Sequence, residues 1–403
     1  MRFFHFSEQP YPDAWKFGLE SLRNTIPNSY CDPKIAHRIY NERLTEYESC
    51  DELGLNVAFN EHHSSATCLS ESPTLHAAIV ARTTKKARIL PLGIPIALRP
   101  DPVRVAEEIA MIDCISGGRL EVGLVKASPF EISPNNANPT RYMDRFWEAH
   151  DLILKALATR DGPFNFEGEF HHYRQVNIWP PPYQQPHPPV WITAGSPEST
   201  LEIATRGHNL AVFLAGRNLK KLMDLYRQRT RELGRPEAGP EKFGYLCLVG
   251  VGRTEEEGHR RANAIQGYLR TTTIVGEAFM NPPGYMSVEG NMKWLRLGIN
   301  RGRAGNHFAA ARKDGTVINQ GTASIPDLID ANIVFAGTPD QVYDQFCEFN
   351  DYVGGVGTFV TMLHGGELGH AETLDNIRLF GEKVAPRLDE RYPTAPTIPI
   401  AAE

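Results

Sequence analysis

The chain has 403 residues, a formal net charge of -6, 41% hydrophobic and 22% charged residues, the balance of an ordinary globular protein. Lys and Arg are scattered without a basic stripe, which argues against a nucleic-acid partner. No run reaches the ~18 apolar residues of a membrane span, and residues 1–6 lack the apolar core of a secretory leader, so a cytoplasmic, non-membrane protein is expected.

Apolar strands and helices alternate along the chain. Residues 2–6 read as the first strand, and the Pro- and Tyr-rich segment 8–33 as a loop inserted at its end. Residues 34–53 place Ile35, Ile39, Leu44 and Tyr47 at helical spacing, with Gly54 as the stop. The second strand is 56–59, and Ser72-Pro73 opens the next helix. Residues 88–97 read as a buried third strand. Its two prolines each remove a ladder donor, so a bulge or an unusual peptide is expected near Pro95. Asp101-Pro102 opens a helix that runs to Ser116 and stops at Gly117-Gly118. There follow a strand at 120–125, a helix at 140–158, a hairpin within 163–178 and a proline-rich loop at 179–189. Strands at 190–194, 210–213 and 243–251 alternate with helices at 198–206, 219–233 and 254–269, the last with an acidic first turn. Residues 271–335, rich in Gly, Asn and Arg, break the rhythm and read as an insertion that could form a lid. A helix at 339–351, a strand at 358–363 and a helix at 373–384 complete the pattern. The tail beyond 393 is expected to be disordered or draped over the surface.

Eight strands, each followed by a helix, predict an α/β fold: a (β/α)8 TIM barrel with an insertion before the last strand. The whole of 1–403 is expected to be one domain, with 271–335 within it. An open doubly wound sheet is the alternative, but no Gly-x-Gly-x-x-Gly opens a helix. The six cysteines are spread without a Cys-x-x-Cys, as reduced thiols would be.

The candidate chemistry sits at strand ends. Glu61-His62-His63 follows the second strand, and imidazoles give and take protons near neutral pH. On extended backbone His62 and His63 point to opposite faces, which makes them poor joint ligands. His5 stands alone between Phe4 and Phe6, so no metal site is expected. The plainer reading of the triad is a polar surface turn. Ala194-Gly195-Ser196-Pro197-Glu198-Ser199 offers backbone N–H groups and hydroxyls at a helix start, either as an anion site or as an ordinary cap. Lys126, just past the fourth strand, could neutralise a phosphate or simply be solvated. His171-His172-Tyr173 reads as part of a structural flap.

Taken in order, these pieces resemble the bacterial luciferase-like, flavin-dependent monooxygenase family. The carriers are Asp51-Glu52-Leu53-Gly54 leading to Phe59-Asn60-Glu61-His62-His63, then Pro100-Asp101-Pro102-Val103-Arg104 with Glu107 and Glu108. Asp113, Ser116-Gly117-Gly118-Arg119-Leu120, Gly123, the Phe166-x-Gly168-x-Phe170 hairpin and Ala194-Gly195-Ser196-Pro197 complete the series. The resemblance implies reduced FMN as cofactor, supplied by a separate NAD(P)H-dependent flavin reductase. It also implies O2 as co-substrate through a C4a-hydroperoxyflavin, a small organic substrate and a homodimer. By position, His62 resembles the catalytic histidine, with Glu61 and His63 supporting it. Pro95, Ile96 and Ala97 match the platform for the flavin ring. Lys126, Gly195, Ser196 and Ser199 match the phosphate site. Lys126 stands where an arginine is usual, and Ala127 where a glycine is common. Relatives that use F420 for hydride transfer without O2 share the barrel, and a non-catalytic flavoprotein or partner subunit is a further alternative. Phe3, Phe4, Phe6 and Trp15 hint at an apolar substrate, although core packing explains the phenylalanines equally well.

Overall fold

The computed structural model describes residues 1–271, 275–276, 279–292 and 309–393. Eight parallel strands close into a barrel: β1 (Arg2–Phe6), β2 (Asn56–Phe59), β3 (Ile89–Ile94), β4 (Val122–Leu124), β7 (Val190–Thr193), β8 (Asn209–Phe213), β9 (Phe243–Val251) and β13 (Thr358–Met362). Pairing of β8 with β9 and of β13 with β1 closes the ring. The antiparallel hairpin of β5 (Phe164–Glu167) and β6 (His172–Val176) stands outside it, as expected from the sequence.

Strand alternation sorts the side chains into two layers. Phe4, Phe6, Ala58, Leu90, Trp191, Leu246 and Val360 fill the barrel interior. Phe3, Val57, Phe59, Ile89 and Phe359 face the surrounding helices. Phe4 and Phe6 are therefore core residues. Gly244 makes room for Trp191 across the interior, since a Cβ there would lie 2.8 Å from the indole.

The helices obey local signals. Asp101 accepts from the Arg104 N–H to start α3 (Pro102–Ser116), and Gly117, at φ 64°, ends it. The helix Pro339–Val353 opens with a capping box between Thr338 and Gln341 and ends at Gly354 in the left-handed region. The other helices that matter below are α1 (Pro33–Glu52), α2 (Pro73–Thr83), α4 (Tyr142–Ala158), α5 (Pro197–Arg206), α6 (Leu219–Glu232) and α7 (Glu255–Thr271). At the barrel floor a buried carboxylate ties four strands together. Glu121, just before β4, accepts from Arg2 on β1, Arg88 just before β3 and Trp191 on β7.

Two expectations are corrected. The third strand stops at Ile94, and Pro95 lies in the turn beyond it. The irregularity expected near Pro95 is present as a register shift between Leu92 and Ile94, whereas the cis peptides among the described residues are Trp179-Pro180 and Gln185-Pro186 in the proline-rich loop. Gly93 sits at the shift because a Cβ there would meet Asn60 Cβ at 2.9 Å. The second correction concerns 271–335. Its end is not irregular: β12 (Val334–Gly337) pairs with Leu248–Val251 of β9, beyond the part of β9 that β8 uses. The short antiparallel pair β10 (Ala309–Ala311) and β11 (Val317–Asn319) precedes it. Much of the expected lid, and the tail from 394, lie outside the described residues.

Candidate functional site

The C-terminal mouth of a parallel barrel gathers side chains from separate strands. Here β1 delivers Glu8 and β2 delivers Asn60, Glu61, His62 and His63. The loop after β4 makes a short turn, Pro129–Glu131, that brings Glu131 in. The segment after β1 returns Arg23, which bridges to Ser65.

These groups form one interlocked set. His62 Nδ1 lies 2.8 Å from Glu131 Oε1 and Nε2 lies 3.5 Å from Glu8 Oε1. Asn60 Nδ2 donates to the same Glu8 oxygen at 3.0 Å. The Arg23 guanidinium is 4.5 Å from the centre of the Phe130 ring and 3.7 Å from Glu131 Oε1. Burial and Arg23 both oppose a charge on His62, but the hydrogen bonds to Glu131 and Glu8 prevail and raise its pKa to about 9. The imidazole is thus protonated at neutral pH. Burial opposes the Glu131 charge in turn, and His62 and Arg23 hold its carboxyl below the usual range nonetheless.

His63 turns elsewhere. Its Nε2 lies 2.8 Å from Glu61 Oε1, while Arg99 donates to the other Glu61 oxygen. Glu131 Oε2 also accepts the His63 backbone N–H at 3.0 Å, so one carboxylate fixes both the His62 ring and the next peptide. Glu8, Glu61 and Glu131 are each buried. The triad is therefore not a surface turn, and its two histidines serve different carboxylates. Among the described residues no three His, Cys, Asp or Glu side chains gather as metal ligands.

The expected cofactor residues lie on neighbouring strand ends. Leu124 on β4 pairs with Ile192 on β7, which leaves Lys126 and Gly195 both just past paired strands. Ser196 caps α5, accepting the Ser199 N–H at 3.2 Å, and the two hydroxyls are 3.1 Å apart. A Cβ added at Gly195 would meet nothing within 4 Å, so this turn faces open space. Glu198, in the first turn of α5, is an acidic neighbour to any anion there. Lys126 is half-buried, with Nζ 4.2 Å from the Tyr285 ring centre, and burial lowers its pKa. Tyr285 also donates to Ala127 O at 3.1 Å. Ala127 sits at φ 74°, a conformation that suits the glycine expected there. Pro95 and Ile96 are buried, and Ile96 packs into the layer between strands and helices, so only its backbone is offered to the mouth. Ala97 is half-buried beside it.

The sequence profile of luciferase-like monooxygenases matches residues 41–354. The chain belongs to this family. The oxygenase component of a flavin-dependent trigonelline monooxygenase from Acinetobacter baylyi is 28% identical over 243 residues, 58% of this chain and 65% of that protein. The oxygenating constituent of 3,6-diketocamphane monooxygenase from Pseudomonas putida, solved in complex with FMN, superposes with a TM-score of 0.69 at 19% identity, covering 96% of this chain and 98% of that one. An F420-dependent secondary alcohol dehydrogenase superposes at 0.62 with 14% identity, covering 86% and 94%. At these identities the structural likenesses establish the barrel alone. In this luciferase-like barrel the sequence reading missed Glu8, Arg23, Arg99 and Glu131. Glu8 lies two residues past β1, so the strand-end rule that singled out His62 would have found it. Arg23 and Glu131 lie in long loops, where sequence spacing carries no such signal.

Proposed function

We propose that the protein is the oxygenase of a two-component flavin-dependent monooxygenase. It takes reduced FMN from a separate NAD(P)H-dependent flavin reductase and uses O2 to oxygenate a small organic substrate, acting as a cytoplasmic homodimer. The observation that carries this reading is His62 held between Glu8 and Glu131 at the barrel mouth, within reach of both carboxylates.

The residues fit the cofactor. The open Gly195 turn, the Ser196 and Ser199 hydroxyls, the α5 N-terminus and Lys126 together suit a phosphate. Lysine supplies charge there without the bidentate fork of arginine. The backbone of Pro95, Ile96 and Ala97 would stand against the flavin ring, its peptide groups offering hydrogen bonds to the ring edge. When bound, reduced FMN supplies the electrons for O2 activation. His62 holds a proton at each ring nitrogen. The Nδ1 proton is locked on Glu131 at 2.8 Å, whereas the Nε2 proton faces Glu8 across 3.5 Å and is the more transferable. His62 therefore acts as a proton or hydrogen-bond donor, with Glu61 and His63 bracing the strand end through Arg99.

The test is oxygen consumption with FMN, NADH and a generic flavin reductase across a substrate panel. Product should require every component, and His62→Ala should lower its rate by about 100-fold or more. Unchanged product formation in His62→Ala would remove this mechanism. Tight F420 binding without O2 consumption would replace the oxygenase reading by hydride transfer.

A further inference from the structure

Two neighbouring cavities share part of their lining, the smaller one reaching the His62 cluster at Glu8, and none of the seven candidate flavin-binding residues lines either of them. The larger, about 490 Å³, sits between the loop after β1, the first half of α1 and the loop after β13. That volume is in the range of small-molecule sites. Trp15, Ile39, Pro10, Pro12 and Leu368 give it an apolar wall. Its lining also carries charge: Lys16 pairs with Asp13, Arg38 with Glu42, and Arg43 and His370 with Glu46, while Glu367 adds a further carboxylate. The smaller cavity, about 10 Å³, shares Pro10, His364 and Gly366 with it and ends at Glu8, Thr67 and Met362. It has room for one water-sized group.

Glu8 is the unusual member of this lining. It is 4% exposed. Oε1 faces two donors, Asn60 Nδ2 and His62 Nε2, while Oε2 is buried with no hydrogen-bond partner among the described residues. A buried carboxylate oxygen without a donor is costly unless something supplies one. We propose that the two cavities form the organic-substrate site. The substrate is a small ring or chain with a donating head group, an ammonium or hydroxyl, which enters the narrow end and donates to Glu8 Oε2. Its hydrocarbon body lies against Trp15 and Ile39. This deepens the proposed function by naming the substrate class, and it replaces the purely apolar substrate that the phenylalanines of β1 suggested. A head group held there sits one carboxylate away from His62. Glu8 is then the specificity residue of the site.

Glu8→Gln inverts the recognition. Asn60 Nδ2 and His62 Nε2 both donate, so the amide oxygen stays with them and the amide NH2 takes the place of Oε2. The cavity end changes from acceptor to donor. Benzylamine, acetophenone and toluene are probes of similar size that differ in this respect: a cationic donor, an acceptor and neither. Calorimetric titration of the flavin-free protein measures each, so the result is independent of whether FMN is the cofactor. The wild type should bind benzylamine about tenfold or more tightly than toluene or acetophenone. Glu8→Gln should lose that preference and favour acetophenone. Trp15→Ala, at a half-buried position, should weaken all three and serves if Glu8→Gln does not fold. Equal binding of benzylamine and toluene to the wild type, no binding of benzylamine, or unchanged benzylamine affinity in both variants would each overturn the assignment.

Discussion

At the scale of single residues, the chemistry of His62 depends on a partner that lies far away in the chain. Glu131 accepts from Nδ1 at 2.8 Å and is itself steadied by Arg23. Removing its charge leaves burial and Arg23 acting against the imidazolium with only Glu8 in favour. Glu131→Gln should therefore bring the His62 pKa down from about 9 towards or below its ordinary 6.5. The imidazole carbon–proton signals followed by NMR across pH 5 to 10, as a range of about five units, check this; an unmoved midpoint would mean that Glu131 does not hold the proton. The linkage has a definite sign. The folded pKa lies above the unfolded one, so this pairing contributes its full stability below about pH 6.5 and loses it as pH rises to about 9. The histidine was legible in the sequence because it ends a strand. Its charge state was not, because that is set by Glu8, Glu131 and Arg23, which reach it only after folding.

At the scale of elements, boundaries marked by local chemistry were readable. Asp101 and Gly117 bracket α3 through a side-chain cap and a left-handed glycine, and both signals are carried by one or two residues. Two kinds of feature were not readable. β12 is four residues long and exists because β9 extends past β8 and leaves a free edge for it. Glu121 is one carboxylate before a short strand, yet it accepts from Arg2, Arg88 and Trp191, pairings fixed by barrel closure. Surface patterning on elements carries its own information. Leu75 and Ile79 lie one turn apart on α2, and Met111 and Ile115 one turn apart on α3, at 64%, 37%, 58% and 42% exposure. The two helices pack together, and exposed apolar residues on neighbouring helices mark association surfaces where they cluster. We assign the proposed homodimer contact to these two helices. A Leu75→Glu, Met111→Glu double variant should sediment as a monomer with unchanged far-UV circular dichroism. A wild type that is already monomeric, or a variant with undiminished mass, would sink that assignment.

At the scale of the whole molecule, the fold buries several histidines in their neutral form, and this sets its response to acid. His5, outward-facing on β1 and fully buried near Arg43 and Glu46, has its pKa lowered to about 3, first by burial and then by Arg43. His364, past β13, is pushed well below its ordinary value by burial, Arg43 and His5. On the far side of the barrel, His150 on α4 and His208 before β8 meet at 2.7 Å between Nε2 atoms. That contact needs one nitrogen without a proton. Burial lowers both pKa values, that of His208 to about 3 with His150 as the next cause. Asp151 and Arg206 flank the pair and partly offset each other. Each of these groups binds its proton more readily in the unfolded chain, at about the ordinary 6.5, than in the folded one. Stability should therefore be complete above about pH 6.5 and fall steadily as pH drops towards 3. The His62 contribution runs the other way, so the net optimum should lie near neutrality. Urea unfolding at pH 7 and pH 5 measures the acid limb directly. The midpoint should fall at the lower pH, and His208→Gln, which removes one of the depressed titrations while keeping a donor for His150, should flatten the fall. An unfolding midpoint that does not change between the two values would mean that these imidazoles are charged in the folded protein. The His150–His208 contact could not then stand as described.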